Sequence, residues 1–228
     1  MGPNNTKFNF NESLEQMDYI LKSGDVIVNR DPSIPLNTKG AKGIVMFASV
    51  VGVKFTPIQH TNANQESWAR VKGVLLTQLY ALVASQPLLL NLDWDGNWLH
   101  AIFNTTTKDH IDATLDSVAK ILSLTDVINF KIKETGWSFD SFAAFDYRKV
   151  LAISAESGTM LWTIDQVTDL DKLLEGGDYK RLIITEIIYN NLKSNYQDLF
   201  NKDSLADKTT YHASIVNIGM NNWLKENK

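Results

Sequence analysis

The sequence contains no cysteine. Disulfides, thiol nucleophiles and thiolate-ligated zinc or iron–sulfur centres are therefore excluded. An excess of positive charge is also missing. Lys and Arg number 22 against 26 Asp and Glu, a net charge of −4, so no broad nucleic-acid surface is expected. No apolar run reads as a membrane span. The most apolar stretch, 73–92, is interrupted by Thr77, Gln78, Ser85, Gln86 and Pro87, which reads as a buried helix, a break and a buried strand. The first residues, MGPNNTKFNFNES, are polar and Asn-rich and lack the apolar core of a secretion signal. The expectation is a cytoplasmic chain with neither membrane nor nucleic acid as a partner. The four histidines follow no metal-binding spacing, so no zinc site is expected.

The residues that are present describe an ordinary packed domain. Hydrophobic residues make up 44% and aromatic residues 10%, ample for a core. After a mobile first ten residues, Asn11 is read as the cap of a short helix over 12–23, with Leu14, Met17 and Leu21 on its inner face. Pro32, Pro35 and Gly40 make 29–42 a lead-in loop. Residues 43–53, GIVMFASVVGV, carry no charge and read as a strand buried on both faces. Trp68, Val71, Leu75, Leu79 and Leu82 give 64–85 a helical stripe. Two short strands, 88–93 and 98–103, flank the turn Asp95-Gly96-Asn97. Ile111, Leu115, Val118, Ile121 and Leu122 form the inner face of a helix over 108–134. Strands are predicted at 137–145, 150–154, 159–163, 181–185 and 212–218, with helices at 165–175, 186–193 and 220–225. Residues 1–42 form an N-terminal segment, and 43–228 form one α+β domain with a ferredoxin-like βαββαβ core followed by extra strands and helices.

Several strings in that core carry a resemblance. Phe47-Ala48-Ser49-Val50-Val51-Gly52 is similar to F-x-D-I-x-G, and Gly96-Asn97-Trp98-Leu99 is similar to G-D-x-[VL]. Asp146-Tyr147-Arg148-Lys149-Val150-Leu151 and the ungapped Trp162-Thr163-Ile164-Asp165-Gln166-Val167-Thr168-Asp169-Leu170-Asp171-Lys172-Leu173 follow in order. The chain resembles class III nucleotidyl cyclases, most of all the bacterial pyrimidine (uridylate and cytidylate) cyclases of Pycsar antiphage signalling. The resemblance implies a dimer in which a ribose 3′-oxygen attacks the α-phosphate and pyrophosphate leaves. Two aspartates would hold two metal ions, Mg²⁺ or Mn²⁺. An Asn and a cationic side chain from the other subunit would act on the transition state.

At those positions the sequence departs from the pattern. Ser49 and Asn97 stand in the two aspartate positions, and neither supplies the negative charge Mg²⁺ relies on. Thr168 replaces the ribose-orienting Asn, while Lys172 is retained at the cationic position. Asp165, Tyr147, Arg148 and Lys172 are the candidate nucleotide contacts. Asp93 and Asp95 are weak alternative metal ligands, because a shift of two residues along a strand moves a carboxylate by about 6–7 Å. Trp94 and Trp98, flanking the hairpin, are expected to fill space that substrate takes in active relatives. The resulting expectation is a pseudo-cyclase needing no cofactor, paired with itself or with an active cyclase and holding at most a nucleoside triphosphate or cyclic nucleotide. The alternative is an active pyrimidine cyclase with relocated carboxylates. A further possibility, independent of the resemblance, is an interaction module with no preference for nucleotides.

Overall fold

The computed structural model describes residues 8–23, 42–154, 160–164, 173, 181–205 and 208–227. Two strands form its spine. β1 (Lys42–Gln59) and β4 (Trp137–Ser154) are each 18 residues long and pair antiparallel along their whole length, a ribbon of about 60 Å. On the other side of β1 runs β3 (Trp98–Phe103), itself paired with β2 (Leu89–Asp95), both antiparallel. The order β2-β3-β1-β4, with α2 (Trp68–Ala84) and α3 (Lys108–Ile132) as the two crossovers, is the ferredoxin-like βαββαβ arrangement expected from the sequence. Beyond β4 the sheet continues through β6 (Leu182–Thr185), parallel to β4, then β8 (Lys208–Ala213) and β7 (Asn201–Leu205). β5 (Met160–Ile164) pairs with the far end of β4.

Alternation along the strands sorts side chains onto two faces. On one face Val51, Val53 and Phe55 of β1 meet Leu99, Ala101 and Phe103 of β3 and the buried stripes of α2 and α3. On the other, Ala48, Val50, Ile102, Ala144, Val150 and Ile183 form a smaller apolar cluster that also buries Leu173. β1 has no charge before Lys54 apart from Lys42, which suits a strand covered on both sides. α3 runs for 25 residues without Gly or Pro. Thr107 caps it by accepting from the His110 N–H.

Several elements differ from the sequence reading. The cap of α1 (Phe10–Ser23) is Asn9, not Asn11: its side chain accepts from the N–H groups of Asn11 and Glu12. The strands expected at 137–145 and 150–154 are one continuous strand, because full pairing with β1 carries the backbone across the polar residues between them. The last strand lies at Lys208–Ala213 rather than 212–218, and its hairpin partner β7 was not anticipated, since its NKDSL sequence has no strand-like hydrophobicity. Two helical segments, α4 (Glu186–Asn191) and α5 (Ser194–Gln197), follow β6, and α6 (Ile218–Asn227) ends the described chain. The first seven residues, all but the last residue of the 29–42 lead-in loop and most of the 165–175 helix lie outside the described residues.

α1 shares the core of the domain. Met17 is fully buried, the Ser13 hydroxyl donates to the Gln78 side chain of α2, and Lys131 of α3 donates to both oxygens of Asp18. Trp223 of α6 meets Phe10 and Phe130 edge-on.

Two glycines take positive φ for different reasons. Gly96 (φ +59) makes the two-residue turn between β2 and β3 and has nothing within 4 Å of an added Cβ. Gly136 (φ +73) ends the 3₁₀ turn Lys133–Thr135 that follows α3, and a Cβ there would lie 2.4 Å from the Ala63 backbone nitrogen. Gly96→Ala should therefore cost about 1 kcal/mol, the left-handed strain alone. Gly136→Ala adds a backbone clash and should cost about 3 kcal/mol. Urea denaturation of the two variants measures the difference; equal losses would show that the Ala63 segment yields.

Candidate functional site

The corner where the β2–β3 hairpin meets β1 is where carboxylates from neighbouring strands would have to converge. The Asn97 carbonyl accepts from the Phe55 N–H at 2.8 Å, and Lys54 pairs with Trp98 across β1 and β3. Any β1 residue that shares an ion with position 97 is therefore 54, 55 or 56. What stands there is a cation, a buried ring and a threonine. The Lys54 ammonium lies 5.1 Å from the centre of the Trp98 ring, a cation–π contact. Phe55 is fully buried and stacks on Trp94 at 5.2 Å. Asp95 pairs with Trp98 and Asp93 with His100, so both carboxylates lie on the face of Lys54, exposed on the outer strand. The two tryptophans point apart: Trp94 joins the helix-side core, and only Trp98 lies on the Lys54 face.

Ser49 does not belong to this corner. It lies six residues before Phe55 on β1, about 20 Å away along the strand, and it sits on the helix-side face opposite Phe103. Two ligands of one metal ion lie within roughly 5 Å of each other, so Ser49 and Asn97 cannot share one. Ser49 is fully buried instead. Its N–H donates to Thr105 Oγ1 at 3.0 Å, and the two hydroxyls are 2.7 Å apart.

Tyr147 and Arg148 are also separated. Arg148 pairs with Ala48 and Asp146 with Val50, so both lie on the face away from the helices. There Arg148 Nε donates to the Asp146 carboxylate, with side-chain exposures of only 12% and 9%. The same carboxylate accepts from the Thr185 hydroxyl at 2.6 Å and from the Tyr147 N–H at 2.8 Å. Arg148 is thus a structural partner of Asp146 rather than a free phosphate ligand. Tyr147 projects to the other face, stacks on Phe47 and borders a cavity at the start of α3. Beside that cavity, Lys193 bonds Asp109 at 2.5 Å and Asp112 at 3.3 Å, tying the end of α4 to the first turn of α3. The hydrogen bond from Lys193 holds the Asp109 carboxyl below its ordinary value, and the two aspartates raise the Lys193 ammonium.

Asp165, Thr168 and Lys172 lie outside the described residues. Lys54 and Thr105 were missed by sequence reasoning. The signal for Lys54 was the continued alternation past Val53, which extends the strand to the hairpin; Thr105 had none, because its partner Ser49 is 56 residues away in the chain.

The residues at the corner do not fit a pair of divalent ions. The β1 side offers a cation, and the hairpin offers two exposed carboxylates, with only the neutral side chains of Thr56 and Asn97 beside them among the described residues. Among the described residues, no group of three or more His, Asp or Glu side chains could hold a metal ion. Also among the described residues, no helix is long and apolar enough to cross a membrane.

No protein-family model matches the sequence, and neither does any curated protein. Solved structures do match. The adenylyl cyclase CyaB from P. aeruginosa aligns with a TM-score of 0.57 at 10% identity, over 77% of this chain and 98% of that one. A guanylyl cyclase aligns at 0.59 and 8% identity, over 77% and 95%. A class III adenylyl cyclase-like ATP-binding protein from Pseudomonas aeruginosa aligns at 0.60 and 12% identity, over 94% of this chain but 48% of that one. The chain therefore has the fold of a class III nucleotidyl cyclase domain. At these identities the likeness is one of fold.

Proposed function

We propose that this chain is a cyclase-fold protein of the pyrimidine cyclase type that does not itself run the two-metal cyclisation, and that acts by pairing with itself or an active cyclase, or by holding a nucleotide. One observation carries this reading: Lys54 stands on β1 opposite the hairpin, where a carboxylate would be needed. A fixed ammonium repels the divalent ion that the reaction relies on, and Asn97 beside it adds no charge. The likeness to a structure described as cyclase-like and ATP-binding is consistent with nucleotide binding by such a fold.

The alternative is an active pyrimidine cyclase in antiphage signalling with relocated ligands. Asp93 and Asp95 favour it, since both are exposed on the Lys54 face. Incubation with all four nucleoside triphosphates and Mn²⁺, followed by chromatography with mass detection, separates the two. The unmodified chain should yield no cyclic nucleotide, whereas Lys54→Asp/Asn97→Asp should gain a measurable turnover. Product formation by the unmodified chain that disappears in Asp95→Ala would establish the alternative and name the base.

A further inference from the structure

At the opposite end of β3 from the hairpin, the loop into α3 and the face of α4 line a half-open cavity of about 370 Å³, within the range of small-molecule sites. Its walls differ in chemistry. One side is Tyr147, backed by Phe47 in a near-parallel stack (ring centres 5.9 Å, 15°), with Phe47 itself 57% exposed. Ile111 and Ile187 supply aliphatic surface. The remaining side is polar and formed by Thr105, Thr106, Thr107 and Lys108. Lys108 is in no ion pair among the described residues. The Tyr147 hydroxyl makes no hydrogen bond there either. Asp109 and Asp112, in the first turns of α3, are both engaged by Lys193. The helix end contributes little by itself, because Thr107 Oγ1 already accepts from the His110 N–H. The buried Ser49–Thr105 pair instead fixes one corner of the cavity from below.

An aromatic wall, an aliphatic wall and a polar end carrying the uncompensated Lys108 suit a ligand with one flat ring and one phosphate. We propose that this cavity is a binding site for a nucleoside monophosphate, with the base against Tyr147 and the phosphate at Lys108 and the Thr107 hydroxyl, since the Thr105 and Thr106 hydroxyls are already paired with Ser49 and His110. The site is separate from the hairpin corner and does not depend on the function proposed for that corner.

Isothermal titration of the full chain with UMP, CMP, AMP, uridine and inorganic phosphate tests it. At least one monophosphate should bind with a micromolar to sub-millimolar Kd, and uridine or phosphate alone about tenfold or more weaker. Lys108→Gln, an exposed substitution that leaves the fold intact, should weaken binding about tenfold, as loss of a charged hydrogen bond does. Tyr147→Leu should weaken it similarly, with thermal unfolding run alongside to confirm folding. Lys225→Gln, exposed on α6 and remote from both sites, should change nothing. Absence of heat with every nucleotide at 1 mM ligand, to use about the weakest affinity of interest, overturns the proposal. So does binding that survives Lys108→Gln but is lost in Lys54→Gln, which would assign the nucleotide to the corner instead.

Discussion

Ser49→Asp should not restore a metal ligand; it should destabilise the domain by about 3–5 kcal/mol, the cost of an uncompensated charge in the interior. The position has no exposure at all. Among the described residues, its hydroxyl reaches only Thr105 Oγ1, and its N–H donates to the same oxygen. A carboxylate there would gain at most the Thr105 hydroxyl as a donor, against several kcal/mol of lost hydration. It would also place two acceptors where the native pair shares a proton. For a chain of this size the loss corresponds to a fall in Tm on the order of 10 °C. Differential scanning calorimetry with and without Mn²⁺ reads it directly. If the variant melts with the parent, or is stabilised by Mn²⁺, the placement of Ser49 on the buried face is wrong. Asn97→Asp, in the hairpin turn, is the contrasting control and should move Tm by little.

Asp146→Ala should be comparably severe, at about 3–5 kcal/mol, because it removes one partner of a buried ion pair. The Asp146 carboxylate does three things at once. It neutralises Arg148, accepts from the Thr185 hydroxyl at 2.6 Å and receives the Tyr147 N–H at 2.8 Å. Its removal takes that counter-charge from a guanidinium whose side chain is only 12% exposed. It also loosens β6 from β4 at the point where the chain turns into α4. Asp146→Asn keeps an acceptor but no charge and should lose less. Urea unfolding monitored by far-UV circular dichroism gives both values. A loss under about 1 kcal/mol for the alanine variant would put this pair among solvated surface bridges, contrary to its burial.

Part of this protein was written in local sequence. The stripe Ile111, Leu115, Val118, Ile121 and Leu122 returns as the buried side of α3, and the Asp95-Gly96-Asn97 string returns as the hairpin turn with Gly96 at positive φ. Both are short-range signals: a helical period, and a residue whose backbone tolerates a rare conformation. The uncharged run at 43–53 likewise marked a strand covered on two faces. It could not show that the strand extends to Gln59, because Lys54, Thr56 and Pro57 lack a buried strand's composition. That extension is what separates Ser49 from the hairpin by about 20 Å. The motif likeness around Phe47 located the strand, but not the point along it that faces Asn97.

The order of apolar and polar residues alone determined the βαββαβ core, while residue identity alone excluded thiol chemistry and carboxylates at positions 49 and 97. Strand register was decided only in three dimensions. Pairing Phe55 with the hairpin put Lys54 at the corner, pairing Ser49 with Phe103 buried it against Thr105, and the alternation of β4 set Tyr147 and Arg148 on opposite faces. The physical reason is that side-chain direction repeats every two residues. A local pattern can specify which residues share a face, but which residue of a neighbouring strand lies beside them depends on hydrogen bonds formed across tens of residues of intervening chain.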